Sequence, residues 1–318
     1  RVLEQSLLTA TITISILILA SGTRAATIVV PGGGDLQAAL NAAQLGDTII
    51  VQAGATYTTG VSFSLPYKGA GTGTDADYIT LQTSNLAGMP ASGVRLDPTL
   101  QSGALAKLIS TGGYPVIDSA AGAHHWKLIG LDLSTNGVRY TPDLVELGFQ
   151  ATSRAQLLGQ RNFIIDRCFI HPAEVTPSTL FTTVLQRSAG RGIGIAAVEV
   201  SIINSYIAGF AGQYPANDPN AGQNIDSYGI YSPTGPGPLH ILNNYIEAQF
   251  NNIFLGGADS DTSNKATLSN ATMSSATFSN VANLQVGDLV AMQTASATPK
   301  PWQTGQVTAI NGNNVSFT

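Results

Sequence analysis

The stretch from Arg191 to Asp259 contains one pattern three times. It reads Arg-Gly-Ile-Gly-Ile-Ala-Ala-Val-Glu-Val-Ser-Ile-Ile-Asn-Ser-Tyr-Ile at 191–207 and Tyr-Gly-Ile-Tyr-Ser-Pro-Thr-Gly-Pro-Gly-Pro-Leu-His-Ile-Leu-Asn-Asn-Tyr-Ile-Glu at 228–247, and it starts again as Asn-Asn-Ile-Phe-Leu-Gly-Gly at 251–257. Each unit predicts a short strand, a turn and a longer apolar strand. None of these strands can bury its own apolar face alone, and such recurrence is typical of a solenoid.

The spacing of equivalent residues favours one kind of solenoid. Ile230 and Ile253 are 23 positions apart, and a coil of roughly this length, extended where a loop is inserted, predicts a right-handed parallel β-helix. Asn204 and Asn243 fall where the chain bends between two strands. Because stacked Asn side chains hydrogen-bond to each other and to turn backbone, the pair predicts a ladder along the solenoid.

The same register extends toward the N-terminus, where an amphipathic segment precedes the first coil. Asp35 is the predicted N-cap of a short helix that begins at Leu36 and covers the open end of the solenoid. Alternation places eight aligned side chains in the core, namely Trp126, Leu128, Leu131 and Leu133 and their counterparts Phe163, Ile165, Cys168 and Ile170. The predicted fold class is therefore all-β.

On these repeats and on the capping segment, the chain between about Ala26 and Asp259 resembles the pectate-lyase-like superfamily of right-handed parallel β-helices. The resemblance implies the fold and an outer groove that binds a long polymer. That superfamily contains lyases, hydrolases, epimerases, phage tailspikes and adhesins, so the fold does not decide the activity. The chain lacks the Gly-His-Gly, Arg-Ile-Lys and Asp-Asp motifs of polygalacturonases and the Trp- and Arg-bearing signatures of pectate lyases.

Composition and the first residues predict an exported protein. Charged residues make up 10% of the chain and the net charge is −5, which argues against nucleic acid as a partner. The uncharged run Leu7–Ala20 is shorter than the about 20 residues of a membrane span. We therefore predict a signal peptide at 1–25 and a secreted or cell-envelope protein without membrane attachment after cleavage; a buried strand or an uncleaved anchor is the alternative. The oligomeric state stays open.

The remaining chain divides into two predicted parts. Residues 26–259 form the β-helix, and 260–318 form a small antiparallel β insertion near the C-terminus, with a hairpin around Asn311-Gly312. We expect this insertion and later coils to continue beyond residue 318. Cys168 is the single cysteine, which excludes a disulfide within the chain and a cysteine-based metal site.

Candidate chemistry lies on outward strand positions and inserted loops. Asp226, Glu247 and Asp259 fall at the edges of neighbouring coils and, with Arg191, are the candidate catalytic residues, because paired carboxylates serve glycosidases and Arg serves lyases as a base. Asp218 and Asp226, in the polar loop that ends at Asp226, are candidate ligands for calcium, the candidate cofactor. Five further residues are candidates for substrate binding, the tyrosines by stacking on sugar rings: Arg167, His171, Tyr214, Tyr228 and Tyr231.

The sequence leaves three functions open. The first is a lyase-type enzyme that cleaves an acidic polysaccharide. The second is a non-catalytic surface protein, of the carbohydrate-binding or adhesin type, and the third is a hydrolase of a neutral glycan, since an acidic surface repels anionic polymers. If the protein is either kind of enzyme, we expect four residues to lie together in one groove: Arg191, Asp226, Glu247 and Asp259. If it is a non-catalytic protein, we expect these residues to lie on different faces of the solenoid.

Overall fold

The structure, a computed structural model, describes residues 25–151, 154–177, 187–211, 213–214, 219–223, 226–233, 237–256, 268–272, 274–281, 284–293 and 302–318. The signal peptide predicted at 1–25 lies, apart from its last residue, outside these ranges. Asp218 and Asp259 also lie outside them, so their predicted roles stay predictions.

Nineteen strands of the described chain build the solenoid. They are β1 (Thr27–Val30), β2 (Thr48–Val51), β3 (Thr56–Thr59), β4 (Phe63–Leu65), β5 (Ile79–Thr83), β6 (Ala106–Ser110), β7 (Ile117–Ser119), β8 (Trp126–Ile129), β9 (Leu131–Thr135), β10 (Thr141–Leu147), β11 (Arg161–Asp166), β12 (Phe169–Ile170), β13 (Ala189–Ile195), β14 (Val198–Ile203), β15 (Tyr206–Phe210), β16 (Tyr228–Ser232), β17 (Leu239–Leu242), β18 (Tyr245–Ala248) and β19 (Asn251–Leu255).

These strands form three parallel sheets that the chain visits in turn. Sheet A has the order β1-β2-β5-β8-β11-β14-β17, sheet B the order β18-β15-β12-β9-β6-β3, and sheet C the order β19-β16-β13-β10-β7-β4. One strand of each sheet makes one coil, so the predicted right-handed parallel β-helix is confirmed. The sequence also predicts a single strand at 58–65, and this prediction is wrong, because the chain turns between β3 in sheet B and β4 in sheet C.

The core consists of inward side chains that stack coil upon coil. All eight aligned residues predicted for it are buried, and Trp126 and Phe163 are among the largest fully buried side chains. Trp126 and Phe163 are also register partners on neighbouring strands. Burial raises the pKa of the Cys168 thiol to about 12, which leaves this cysteine a small apolar core residue without thiolate chemistry.

The turn from sheet A to sheet B carries the predicted asparagine ladder. Asn204 and Asn243 both adopt a left-handed backbone, with φ of 53° and 56°, a conformation that Asn tolerates better than most residues. The side-chain amide of Asn243 donates to Oδ1 of Asn204 at 2.9 Å, and the amide of Asn204 donates to Oδ1 of Asp166 at 3.0 Å. The ladder is therefore confirmed over three successive coils.

The N-terminal end of the solenoid is covered as predicted. Helix α1 (Leu36–Ala42) begins at the N-cap Asp35, whose carboxylate accepts from the backbone N–H of Ala38, and Leu36 and Leu40 are buried. The side-chain amide of Gln37 donates to the backbone carbonyl of Ser64 and accepts from its N–H. Gln37 thus pairs with the free edge of β4 as a neighbouring strand would.

Sheet B has a second layer on its outer side. The segment 84–105, which contains α2 (Pro98–Gln101), contributes Met89, Leu96 and Leu105 to an apolar cluster with Phe169 and Tyr206 of sheet B. This cluster is separate from the solenoid core. Besides α1, the described helices outside the segment 84–105 are α3 (Arg154–Gly159) and the 3-10 turn Asp75–Asp77. Among the described helices, none is long and apolar enough to cross a membrane.

The described residues after 267 form an antiparallel sheet with its own core, as predicted. Its strands are β20 (Leu268–Ser269), β21 (Ser275–Phe278), β22 (Leu289–Gln293), β23 (Trp302–Asn311) and β24 (Asn314–Phe317), in the order β20-β21-β24-β23-β22. The C-terminal hairpin pairs Asn311 with Asn314. Its two-residue turn is therefore Gly312-Asn313, one position later than predicted.

Candidate functional site

The central strands of sheet C bend, and the bend puts residues i and i+3 on the outside of the solenoid. In β10, Leu144 and Val145 are both fully buried, so Asp143 and Glu146 flank a pair of inward residues. In β13 the equivalent inward pair is Gly192 and Ile193, because a Cβ at Gly192 would meet core side chains of β15. Simple alternation, in which every second residue faces out, does not apply at this bend.

The register between coils aligns these outward residues in two rows. The first row pairs Asp143 with Arg191 and Arg191 with Tyr228. The second row pairs Asp118 with Glu146, Glu146 with Gly194, Gly194 with Tyr231 and Tyr231 with Phe254. The outer face of sheet C therefore carries acidic groups on its N-terminal coils and aromatic groups on its C-terminal coils, with Arg191 between them.

Arg191 is held on both sides. Its Nη2 donates to Oδ2 of Asp143 at 2.7 Å, and its guanidinium lies over the Tyr231 ring, 4.5 Å from the ring centroid. Tyr231 is in turn stacked against Tyr228 and Phe254, with centroids 5.0 and 5.5 Å apart. The Arg191 side chain is 25% exposed, so donors of the five-donor guanidinium remain for a ligand.

Asp143 and Glu146 form a carboxyl pair that titrates near neutrality. Burial raises the pKa of Asp143 to about 6, against the lowering effect of Arg191. Burial, and then the negative charge of Asp143, raise the pKa of Glu146 to about 7. Asp143 Oδ1 is buried, and among the described residues no N–H or hydroxyl group donates a hydrogen bond to it. The Glu146 carboxyl lies close enough to donate one when it is protonated. A proton held by Glu146 satisfies both groups.

Asp118 adds a third carboxylate to this cluster. It pairs with Glu146 across neighbouring strands, and its charge contributes to the raised pKa of Glu146 after burial and Asp143. Its Oδ1 is also buried without a hydrogen-bond partner in the described part of the chain. Buried carboxyl groups with perturbed pKa values are concentrated at functional sites.

The sequence identified part of this site. Arg191, Tyr228 and Tyr231 all lie in it, and Asp226 reaches its edge through a hydrogen bond with the Tyr228 hydroxyl. Burial, and then the charge of Asp226, raise the pKa of Tyr228. The predicted stacking of Tyr231 on a sugar meets an obstacle, because its ring faces already contact Arg191 and its aromatic neighbours. The substrate-binding role of both tyrosines stays a prediction.

Glu247 does not join Arg191, contrary to the expected convergence. It lies in β18 of sheet B, where its carboxylate accepts from the Tyr245 hydroxyl at 3.3 Å. The reason is topological, because only every third strand of a β-helix returns to the same sheet. Residues on strands that are neighbours in the chain therefore face different sides of the solenoid. The catalytic role predicted for Glu247 gains no support from this position.

Three further candidates also lie away from Arg191 or have their own partners. Arg167, at the turn from sheet A to sheet B, donates to Asp166 and to the carbonyl of Pro90. His171 lies between Asp132 Oδ1, at 2.9 Å, and the Phe169 ring, at 3.9 Å between centroids. Tyr214 packs against Tyr140, which precedes β10 of sheet C. Their predicted roles in substrate binding are not tested by these positions.

The sequence analysis missed Asp118, Asp143 and Glu146, although a signal for the last two exists. The last four strands of sheet C in chain order share a four-residue pattern in which first members pair with first members and last with last: Asp-Leu-Val-Glu at 143–146, Arg-Gly-Ile-Gly at 191–194, Tyr-Gly-Ile-Tyr at 228–231 and Asn-Asn-Ile-Phe at 251–254. Aligning on this pattern would have placed Asp143 and Glu146 beside Arg191 and Gly194.

The described residues do not supply a calcium site. No group of three His, Cys, Asp or Glu side chains that could hold a metal ion occurs among them. Asp143 is paired with Arg191, and calcium requires six to eight oxygen ligands. The predicted ligand Asp226 is exposed, and its predicted partner Asp218 is outside the described ranges. Calcium binding therefore stays a prediction.

Comparisons with known proteins add two distant structural similarities. No family model matches the chain, and no curated protein matches it. The chain is similar to the crystal structure of an alginate lyase from Paenibacillus sp. str. FPU-7, with 14% identity and a TM-score of 0.29 over 73% of this chain and 98% of that one. It is also similar to pectate lyase Pel9A, with 11% identity and a TM-score of 0.34 over 76% of this chain and 57% of that one. At these values neither alignment carries an argument about activity, and the strand order alone identifies the chain as a right-handed parallel β-helix.

Proposed function

We propose that the protein is a polysaccharide-active enzyme that cleaves an acidic polysaccharide by β-elimination on the outer face of sheet C. One observation carries the proposal: Arg191 is bound to Asp143, and Glu146 lies beside Asp143 with its pKa raised to about 7. Elimination from a uronate needs a cation at the carboxylate, a base for the proton on the adjacent carbon, and an acid for the leaving oxygen. Arg191 supplies the cation, and the carboxyl pair supplies the base and the acid.

Arg191 serves as the cation and not as the base. A guanidinium paired with a carboxylate holds its protons, so the base role considered from the sequence does not suit it. Its remaining donors and partial exposure allow it to bind the carboxylate of a uronate residue. Neutralising that carboxylate makes the proton on the neighbouring carbon easier to remove.

The carboxyl pair serves as the proton-transfer unit. Asp143, ionised at neutral pH, takes up the Glu146 proton, because its own Oδ1 is buried and its Oδ2 binds Arg191. The freed Glu146 carboxylate accepts the proton from the carbon next to the uronate carboxylate. The electron pair left on that carbon forms the new double bond as the bond to the leaving oxygen breaks. Glu146 then donates its proton to that oxygen. Between the two pKa values, about 6 for Asp143 and about 7 for Glu146, Asp143 is mostly charged and Glu146 mostly protonated.

A second candidate reaction, hydrolysis of a neutral glycan, is favoured by a different pair of carboxylates. Asp118 and Glu146 lie on adjacent strands of sheet C, and strands are about 4.8 Å apart. Retaining glycosidases separate their two carboxyl groups by about 5–5.5 Å. The excess of carboxylates over Arg191 in the cluster also suits a neutral sugar better than an anionic one.

An assay on a panel of polymers tests the proposal. Elimination creates a conjugated double bond that absorbs in the ultraviolet, whereas hydrolysis creates reducing ends without that absorbance. We expect the absorbance with a uronate polymer, its loss in Asp143→Asn and Glu146→Gln, and its retention in the exposed control Glu199→Gln. Loss of activity in EDTA would support the predicted calcium requirement. Binding without either product would favour the non-catalytic, adhesin-type function.

A further inference from the structure

We propose that Phe149 is the aromatic platform on which one sugar ring of the bound polymer lies. The proposal rests on the proposed function for the place of the reaction, and it names the residue that orients the sugar there. Sequence reasoning assigned stacking to three tyrosines, and Phe149 was not among the candidates.

Phe149 lies directly beside the carboxyl pair. It follows β10 immediately after Gly148, whose N–H donates to the buried Ser119 Oγ at 2.8 Å. A Cβ at Gly194 would be 2.8 Å from Asp143 Oδ1 and 3.0 Å from Phe149 Cε2. The edge of the Phe149 ring and the Asp143 carboxylate thus both border the space above this glycine, and any other residue at position 194 would push one of them away.

The Phe149 ring is exposed enough to stack on a sugar, whereas the tyrosines of this site are buried or already in contact with other rings. It is 40% exposed, whereas Tyr228 is 5% exposed. The faces of Tyr231 contact Arg191 and two aromatic rings, and Tyr214 packs against Tyr140. An exposed phenylalanine alone indicates little, since apolar atoms contribute much of any protein surface. Its position next to Gly194, on the same side as the Asp143 carboxylate, distinguishes Phe149 from the other exposed apolar residues.

The chemistry around Phe149 matches the two sides of a sugar ring. A pyranose has a face of C–H groups that packs on an aromatic ring, and an edge of hydroxyl groups that forms hydrogen bonds. Two further groups lie next to the space above Gly194. Arg191 supplies N–H donors, and Glu146, the register partner of Gly194, supplies a carboxyl group. A sugar on Phe149 would therefore present its polar edge to the groups that carry out the reaction.

Two variants at this position measure the stacking directly. Phe149→Trp places an indole on the surface, and sugar stacking changes its fluorescence. The matched control is Leu100→Trp, because Leu100 is 75% exposed in α2, which packs on the sheet B side. Each is titrated with polygalacturonate, alginate and dextran, and the wild-type signal from Trp126 and Trp302 is subtracted. We expect one polymer to change the fluorescence of Phe149→Trp and to leave that of Leu100→Trp unchanged.

Phe149→Ala gives the second readout. On the polymer that is cleaved, KM should rise about tenfold with kcat nearly unchanged, because stacking binds ground state and transition state alike; a tenfold change corresponds to about 1.4 kcal/mol. Circular dichroism should match that of the wild type, which shows that the variant is folded.

The outcomes separate this proposal from the proposed function. If Phe149→Ala cleaves a polymer with an unchanged KM and the fluorescence of Phe149→Trp does not respond, the stacking role of Phe149 is wrong. The proposed enzymatic function is then retained. A response of Phe149→Trp to a polymer that is not cleaved would support the platform and count against the proposed reaction. No response to any of the three polymers, without cleavage, would overturn both.

Discussion

Arg191 and Asp143 are 48 residues apart in the chain, yet the guanidinium Nη2 donates to the carboxylate Oδ2 at 2.7 Å. The parallel register of β10 and β13 makes them direct partners across one coil boundary. Asp143 is almost completely buried and Arg191 is not. The partly exposed Arg191 guanidinium therefore favours the charged form of the buried Asp143 carboxylate. In the proposed reaction, Asp143 is the group that takes up a proton.

Replacing Arg191 with methionine should abolish the elimination and weaken the fold. Removing one partner leaves Asp143 buried without its cation, and we expect a loss of about 2 kcal/mol, less than for a fully buried pair because Arg191 is partly exposed. Urea unfolding measures the change, with the exposed Arg139→Met as control. Equal stability of Arg191→Met and wild type would contradict the ion pair.

The contribution of Glu146 to the stability of the folded protein should fall as pH rises from 4.5 to about 7. The pKa of Glu146 is raised by burial and by Asp143 from 4.5 to about 7, so in that window the folded protein binds more protons than the unfolded chain, and linkage makes unfolding easier at higher pH. Glu146→Gln should remove this contribution, whereas the exposed Glu199→Gln should retain it and alter the profile only through its weak effect on His125. Unfolding midpoints across the pH range provide the measurement, and parallel profiles for all three proteins would refute the raised pKa.

A second pH dependence, of opposite sign, should arise at a histidine pair. The rings of His124 and His125 are 2.7 Å apart between their Nδ1 atoms, and the outer nitrogens reach Gly69 O and the Asn162 amide. One arrangement of neutral tautomers satisfies every contact: each ring donates one proton and accepts one, and the Asn162 amide donates to His125. Added charge on either ring breaks a hydrogen bond.

The contribution of His125 to stability should therefore fall as pH drops below 6.5, opposite in sign to that of Glu146. Burial, and then His124, lower the pKa of His125 from 6.5, against weaker opposing charges on Asp77 and Glu199. Below 6.5 the unfolded chain binds more protons than the folded protein, which favours unfolding. His125→Asn, which tolerates the φ of 55°, should reduce this slope, and the exposed His240→Asn should not. An unaltered acid slope in His125→Asn would rule out this explanation.

The asparagine ladder predicts a graded loss of stability at Asn204. Asn204→Gly keeps the left-handed backbone but loses the hydrogen bonds to Asp166 and Asn243, and it should cost about 2 kcal/mol. Asn204→Ala adds the strain of a left-handed alanine and should cost about 1 kcal/mol more. Chemical denaturation checks the order. If alanine proved no worse than glycine, backbone strain would not contribute at this position.

The sequence predicted the solenoid because its repeats encode local requirements. The left-handed turn at Asn204 and Asn243, the N-cap at Asp35 and the inward residues of sheet A each follow from the residue and its neighbours. Each of these features therefore appears in the sequence of its own coil.

The candidate site was harder to predict because it depends on relations between coils. Asp143 meets Arg191 only through the register of two coils of unequal loop length, and the bend at Leu144-Val145 breaks the alternation that assigns outward positions. Glu247 looked equivalent in sequence but belongs to another sheet. A short separation in the sequence therefore did not predict which residues lie close together on the outer face of the solenoid.

The most direct test of the account compares two glutamates that the fold separates. Glu146 lies in sheet C beside Arg191, and Glu247 lies in sheet B beside Tyr245. The measurement is the ultraviolet absorbance of unsaturated products formed from a uronate polymer by wild type, Glu146→Gln and Glu247→Gln. We predict that Glu146→Gln loses this activity and that Glu247→Gln retains it. Retained activity in Glu146→Gln together with loss in Glu247→Gln would contradict the placement of the reaction on sheet C.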